Sequence, residues 1–263
     1  MTSLAVVLLL PWSARAQEAA RRADPDANGT YRIEALVGYW SPRADVTVSS
    51  DATGVPGTKI DWRRDLGLTS QGFPELQLSW RPALRHTFRA QYIPIRFESS
   101  AAPPRDLVFN GVRYQAGLSA TASLDWTTYR FGYDYAFVVR PRVRAGFIAE
   151  VKHTIVRAAV QNAGADEVSR QAMPVPALGG VVRLFPSPRL SLAGEFTFFA
   201  VPDRPDGHYG GHVGDVDVSA LWTVTRHLGA QAGFREIDIH HLGEWNTAMF
   251  TLKGVYLAAL VRY

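Results

Sequence analysis

Counting back from Tyr263, every second residue of the final stretch is apolar: Val261, Ala259, Leu257 and Val255. Side chains of a β-strand point alternately to opposite faces, so this segment presents one uninterrupted apolar face when extended. Such a face suits a strand packed against lipid, with the terminal aromatic residue at the membrane interface. The closing strand of a soluble sheet shows the same period, so the rest of the chain has to decide between the two.

The other end carries an apolar run, Met1 to Trp12, followed by Ser13, Ala14, Arg15 and Ala16. Small residues at 14 and 16 form the pattern that signal peptidase cleaves, which predicts a signal peptide over 1–16. The run is too short for a membrane-spanning helix, which needs roughly twenty apolar residues. No Lys or Arg precedes it, a departure from the usual charged start of such a leader. Residues 17–29 are polar and aperiodic and read as a flexible periplasmic tail, leaving 30–263 as one β domain.

The chain has no cysteine, which excludes disulfides, thiol catalysis and Cys-ligated metal centres. Its pI of about 9.5 raises the question of nucleic acid. The basic residues are scattered singly, however, with no patch of the kind a phosphate backbone selects, and no nucleic-acid partner is expected.

Short breaker segments divide the alternating runs: Arg81–Arg85, Arg140–Arg142, Pro186–Arg189 and Thr225–Leu228. Each interval between them accommodates two membrane-length strands of about 9–11 residues plus a loop. Four markers make five hairpins, which predicts a single antiparallel transmembrane β-barrel of about ten strands, with eight or twelve as neighbouring solutions. Between Asp125 and Phe137 one face carries Tyr129, Phe131, Tyr133, Tyr135 and Phe137, and the other Thr128, Arg130, Gly132, Asp134 and Ala136. Leu76, Leu78 and Trp80 oppose Glu75, Gln77, Ser79 and Arg81, and Val216, Val218, Ala220 and Trp222 oppose Asp215, Asp217, Ser219 and Thr223. Trp80, Phe137, Trp222 and Tyr263 all fall near the short-turn ends of the apolar face, where an aromatic girdle belongs.

With both termini and the strand pattern in hand, the chain resembles the small outer-membrane β-barrels of Gram-negative bacteria, broadly the OmpA-type and OmpW-type barrels. Lys253, Gly254, Leu257, Ala259, Val261 and Tyr263 resemble the C-terminal assembly signal of such proteins. The resemblance implies a bacterial outer-membrane location, contact with outer-membrane lipid and lipopolysaccharide, and recognition by the barrel-assembly machinery. It implies no cofactor and leaves the oligomeric state open.

The strand register assigns inward-facing acids at Glu34, Glu75, Asp134, Glu150, Glu195, Asp215 and Asp217. It assigns inward-facing bases at Arg32, Arg81, Arg89, Arg130, Arg144, Lys152, Arg183 and Arg235. A near balance of signs in a confined lumen favours ion pairing over an ion-selective pore, so the lumen is expected to be largely charge-filled.

Two segments are expected to face outward as loops. Val46–Trp62 reads as a hairpin above the membrane, with Arg63–Leu68 able to fold into the mouth. Phe109-Asn110-Gly111-Val112 reads as a tight primed turn. Near the last two hairpins, His208, His212, Asp215, Asp217, Asp238, His240 and His241 cluster in sequence, and a turn centred between Arg226 and His227 would set Asp215 opposite Asp238 and His212 opposite His241. Asp215, Asp217, Asp238 and His240 are similar to the Asp pair and Asp–His pair of the omptin outer-membrane proteases, although in a different chain order. His and carboxylate at these spacings can also chelate a divalent metal, but a solvated polar strand extension with incidental histidines is the favoured reading of the cluster over either. The His-x-Ser arrangement of lipid A deacylases is absent. The favoured reading is a non-enzymatic integral outer-membrane protein, structural or passing small solutes. A hydrolase using the Asp/His cluster, and a receptor or adhesin acting through the first loop, are the alternatives.

Overall fold

The computed structural model describes residues 31–50, 56–162, 165–202, 210–242 and 246–263. The leader and tail expected over 1–29 lie outside that set. In chain order the elements are β1 (Ile33–Ser50), β2 (Ile60–Asp61), α1 (Trp62–Leu66), β3 (Phe73–Ala83), β4 (His86–Ala101), β5 (Leu107–Phe109), β6 (Val112–Tyr114) and β7 (Ala120–Arg140). They continue with β8 (Val143–Asn162), β9 (Ala165–Ser187), β10 (Leu190–Val201), β11 (Gly210–Thr223), β12 (Leu228–Leu242) and β13 (Asn246–Arg262).

Ten long strands pair antiparallel with their chain neighbours, and β13 returns to β1 from Glu34↔Arg262 to Ser50↔Asn246. The sheet is therefore a closed barrel without edges, the form an all-strand structure needs in a medium that offers no water to unpaired amides. Each of the four breaker segments is a short turn. The register irregularities between Trp80 and Ala83, Ala136 and Val138, and Leu190 and Leu192 all sit beside those turns. At the closing seam a Cβ on Gly254 would lie 2.2 Å from the Ser41 carbonyl oxygen, so only glycine lets β13 lie against β1 here.

The wall has two zones of opposite polarity. On β7, Tyr129 to Phe137 face outward as aromatics, Phe131 being 60% exposed, while Thr128 to Ala136 face the lumen. Above Thr128 the faces exchange character: Ala120, Ala122, Leu124 and Trp126 point inward and are buried, and Thr121, Ser123, Asp125 and Thr127 point outward. The same exchange occurs on β13, where the outward stretch from Val255 to Tyr263 is apolar and the outward residues above it are Lys253, Thr251, Met249 and Thr247. That apolar length is close to the about 9–11 residues a strand needs to cross a bilayer. Trp80, Phe137, Trp222 and Tyr263 stand on the outer face at its short-turn border.

Inside the upper zone lies an apolar core. Trp62, Leu66 and Leu68 from the first loop and Leu107, Phe109 and Tyr114 from the second pack against Trp40, Phe97, Leu124, Trp126 and Phe250 of the strands. The β2 residues pair with Thr47 and Val48, and α1 follows with Asp61 as its N-cap, accepting from the Arg63 and Arg64 amides at 3.1 Å. Asn110 and Gly111, at φ 51° and 81°, form the primed turn between β5 and β6. Both loops were expected to face outward, with Arg63–Leu68 able to fold into the mouth. That segment does so through Leu66 and Leu68, and Trp62 and the second loop's Leu107, Phe109 and Tyr114 also enter the mouth, because six large apolar side chains gain more from burial than a short solvated hairpin could return.

Candidate functional site

Below the apolar core, the lumen is crossed by ion pairs between strands far apart in the sheet. Arg130 on β7 meets Asp215 on β11 at 2.8 Å and Glu150 on β8 at 3.0 Å. Lys152 lies 3.2 Å from both of those carboxylates and donates to Thr197, whose hydroxyl donates in turn to Glu150. Arg235 bridges Glu75 at 2.9 Å and Asp217 at 3.1 Å. Gln91 donates to Glu75, and the Tyr256 hydroxyl donates to Asp217 at 2.9 Å. Arg89 holds Glu195 at 2.6 Å and Asp134 at 3.2 Å. These side chains are mostly buried, and the space left among them is about 50 Å³. That is room for a few waters, far short of a solute channel.

The mouth is tied down by a polar clamp outside the spanning strands. Asp65 on α1 is buried and accepts from the Asp61 amide at 3.0 Å, from Arg105 at 2.8 Å and from Arg64 at 3.3 Å. Burial pushes its carboxyl up, but the bonds from Arg105, Asp61 and Arg64 outweigh that and hold it below the usual carboxylate range. The Tyr114 hydroxyl donates to the Val160 carbonyl at 2.8 Å and fastens the second loop to β8.

The Asp/His cluster is divided by the wall. The turn between β11 and β12 pairs Thr223 with Gly229, which sets Gly214 opposite Asp238, Asp215 opposite Ile237 and His212 opposite His240. The expected register is therefore displaced by one residue, and a one-residue slip exchanges the faces. Asp215 and Asp217 point into the lumen, whereas His212, Asp238 and His240 stand on the outer surface above the apolar belt. There Asp238 accepts from Thr251 at 2.7 Å and lies 2.9 Å from His212 Nε2, with the His240 ring edge-on to His212. Asp215, Asp217, Asp238 and His240 thus cannot share one water, which corrects the omptin-like arrangement. Among the described residues no group of three or more His, Asp or Glu side chains could hold a metal ion. His208 and the His241 side chain lie outside the described part.

The architecture matches that of the outer-membrane protease OmpT of Escherichia coli over 88% of this chain and 97% of that one, with a TM-score of 0.56 at 9% identity. The chain has the outer-membrane β-barrel fold. The translocator domain of the autotransporter NalP from Neisseria meningitidis (TM-score 0.46, 10% identity, 96% of this chain and 95% of that one) is a further match. So is the Neisserial surface protein NspA (TM-score 0.38, 12% identity, 88% and 97%). No protein-family model and no curated protein matches the sequence.

In this outer-membrane barrel the inward residues read from alternation converge on the lower lumen, with one exception. Arg32 is exposed just before β1, its amide donating to the Tyr263 carbonyl at 2.7 Å. Its place beside Glu34 is taken by Arg262 at 2.7 Å, because the alternation begins only at Ile33. Arg262 was detectable: it lies two residues beyond Leu260 on the inward parity of β13. Tyr256, Gln91 and Thr197 also join the network, and alternation alone gives no reason to single out these uncharged members. The expectation of a charge-filled lumen holds only for the lower half of this outer-membrane barrel, since the upper half is apolar. Gly254 acts at the seam, and Leu257, Ala259, Val261 and Tyr263 line the lipid-facing side of the same strand.

Proposed function

We propose that this is a closed, non-enzymatic barrel of the bacterial outer membrane, contributing structure to the envelope. One observation carries the reading: the apolar core at the mouth sits directly above a lumen crossed by ion pairs, so two unlike barriers lie in series. A solute able to displace water from the charged layer would still meet Trp62, Leu66, Phe109 and Trp126. The outer belt supports insertion among outer-membrane lipid and lipopolysaccharide, and the C-terminal strand supports delivery by the barrel-assembly machinery. The division of the Asp/His cluster counts against a hydrolase. Burial of the first loop's apolar residues counts against a receptor acting through them.

The test is single-channel recording of the refolded protein in planar bilayers. Folded protein, verified by its heat-dependent gel migration, is expected to be silent. Discrete, reproducible openings would overturn the closed-barrel reading.

A further inference from the structure

At the short-turn end the lumen holds a second space of about 50 Å³, and here the charges do not balance. Four arginines line it, Arg81, Arg89, Arg144 and Arg183, with the acids Glu34, Asp134 and Glu195. The acids are already engaged: Arg89 holds Asp134 and Glu195, and Arg262 holds Glu34. Arg81 donates to the Tyr31 hydroxyl at 2.7 Å and stacks over that ring. Arg144 donates to Thr87 at 3.3 Å, while its Nη1 is buried with no hydrogen-bond partner among the described residues. Neither Arg144 nor Arg183 has a carboxylate within 4.0 Å among the described residues. The two are nonetheless direct cross-strand partners on the same inward face of β8 and β9.

Like charges set opposite one another across a strand pair destabilise the sheet, and an unsatisfied buried guanidinium nitrogen is costly. Both costs vanish if an anion lies between the two side chains. Guanidinium groups present paired N–H donors that match the oxygens of a tetrahedral oxyanion. We infer that the short-turn end of the lumen is a binding site for a small oxyanion of the phosphate class, held by Arg144 and Arg183 with Arg81 on its rim. The space accommodates one such ion and not an organic phosphate of any length. The ion enters from the side of the short turns, since the apolar core closes the other end.

The full chain, refolded in detergent, is titrated with inorganic phosphate and separately with chloride at constant ionic strength. Binding is followed by phosphorus-31 line broadening, and stability by the thermal midpoint. Phosphate is expected to bind saturably and raise the midpoint, as a ligand specific for the folded state must. R144Q/R183Q is expected to weaken phosphate binding by at least about tenfold. R144Q alone is expected to match or exceed the wild-type midpoint in phosphate-free buffer, because it relieves the repulsion from Arg81 and Arg183. Equal effects of phosphate and chloride, or an unaltered phosphate response in R144Q/R183Q, would overturn the inference. If the double variant does not fold, the wild-type phosphorus measurement still decides, since absence of saturable broadening refutes the site.

Discussion

Arg130 and Asp215 join opposite sides of the barrel at 2.8 Å, four strands apart in the sheet order. Both side chains are buried, so the pair acts as a cross-brace as well as a filler. Taking one partner from a buried pair leaves an uncompensated charge, a cost of about 3–5 kcal/mol. Arg130→Met should therefore lower unfolding stability by that order, read from urea titrations in lipid vesicles. A change within error would remove the brace from the account of this lumen.

Trp62 is fully buried in the mouth, where it fills the core beneath the first loop. Trp62→Ala should cost about 3–5 kcal/mol of local or global stability, as large-to-small core changes do. The measurable consequence is faster proteolysis within residues 56–70, with the transmembrane strands still protected. Unchanged proteolysis would mean that the loop is held by its polar contacts alone.

Asp65 links pH to the order of the same loop. Its pKa in the folded protein lies below the 3.8 of an unperturbed Asp. Its contribution is therefore complete above about pH 4 and is lost as pH falls through the lower, folded value. Protection over residues 60–66, taken relative to intrinsic amide exchange at each pH, should fall at the acid end of a titration from pH 6 to pH 2. Asp65→Asn should exchange fast throughout and lose that dependence.

Gly254 tests the seam. An added methyl meets the Ser41 backbone oxygen rather than a side chain that could swing away. Gly254→Ala should cost about 1–3 kcal/mol, in the range of overpacking, and slow closure of β13 onto β1 during refolding. Refolding followed by gel mobility checks this, with the exposed Ala259→Val as a control that should fold normally.

The sequence made the barrel legible because a period of two, broken at Arg81–Arg85, Arg140–Arg142, Pro186–Arg189 and Thr225–Leu228, leaves few other closed solutions. The inward placement of Glu150, Arg130 and Asp215 followed from the same parity. The polarity exchange was written there too, in the change of apolar parity between Trp126 and Tyr129, but reading β7 as one face throughout concealed it. The Asp/His cluster failed for a smaller reason. Five residues, Val224 to Leu228, separate the paired Thr223 and Gly229, so the turn is centred on Arg226, whereas a turn centred between two residues shifts every partner by one. Which loop residues enter the mouth depends on three-dimensional packing, and no local period reports it.

The exchange of polarity at Thr128 also fixes the height at which the barrel can float. A rise of one two-residue step, roughly 6–7 Å along a strand, would lift aromatic side chains such as Tyr129 and Phe131 into water. A fall by the same step would draw Thr127, and then Asp125, toward hydrocarbon. Because β13 changes character between Lys253 and Val255 as well, both sides of the cylinder resist the same displacement. The chain is thus a plumb float as much as a wall: the bilayer sets where it rests, and its projecting upper storey keeps a constant elevation above the lipid.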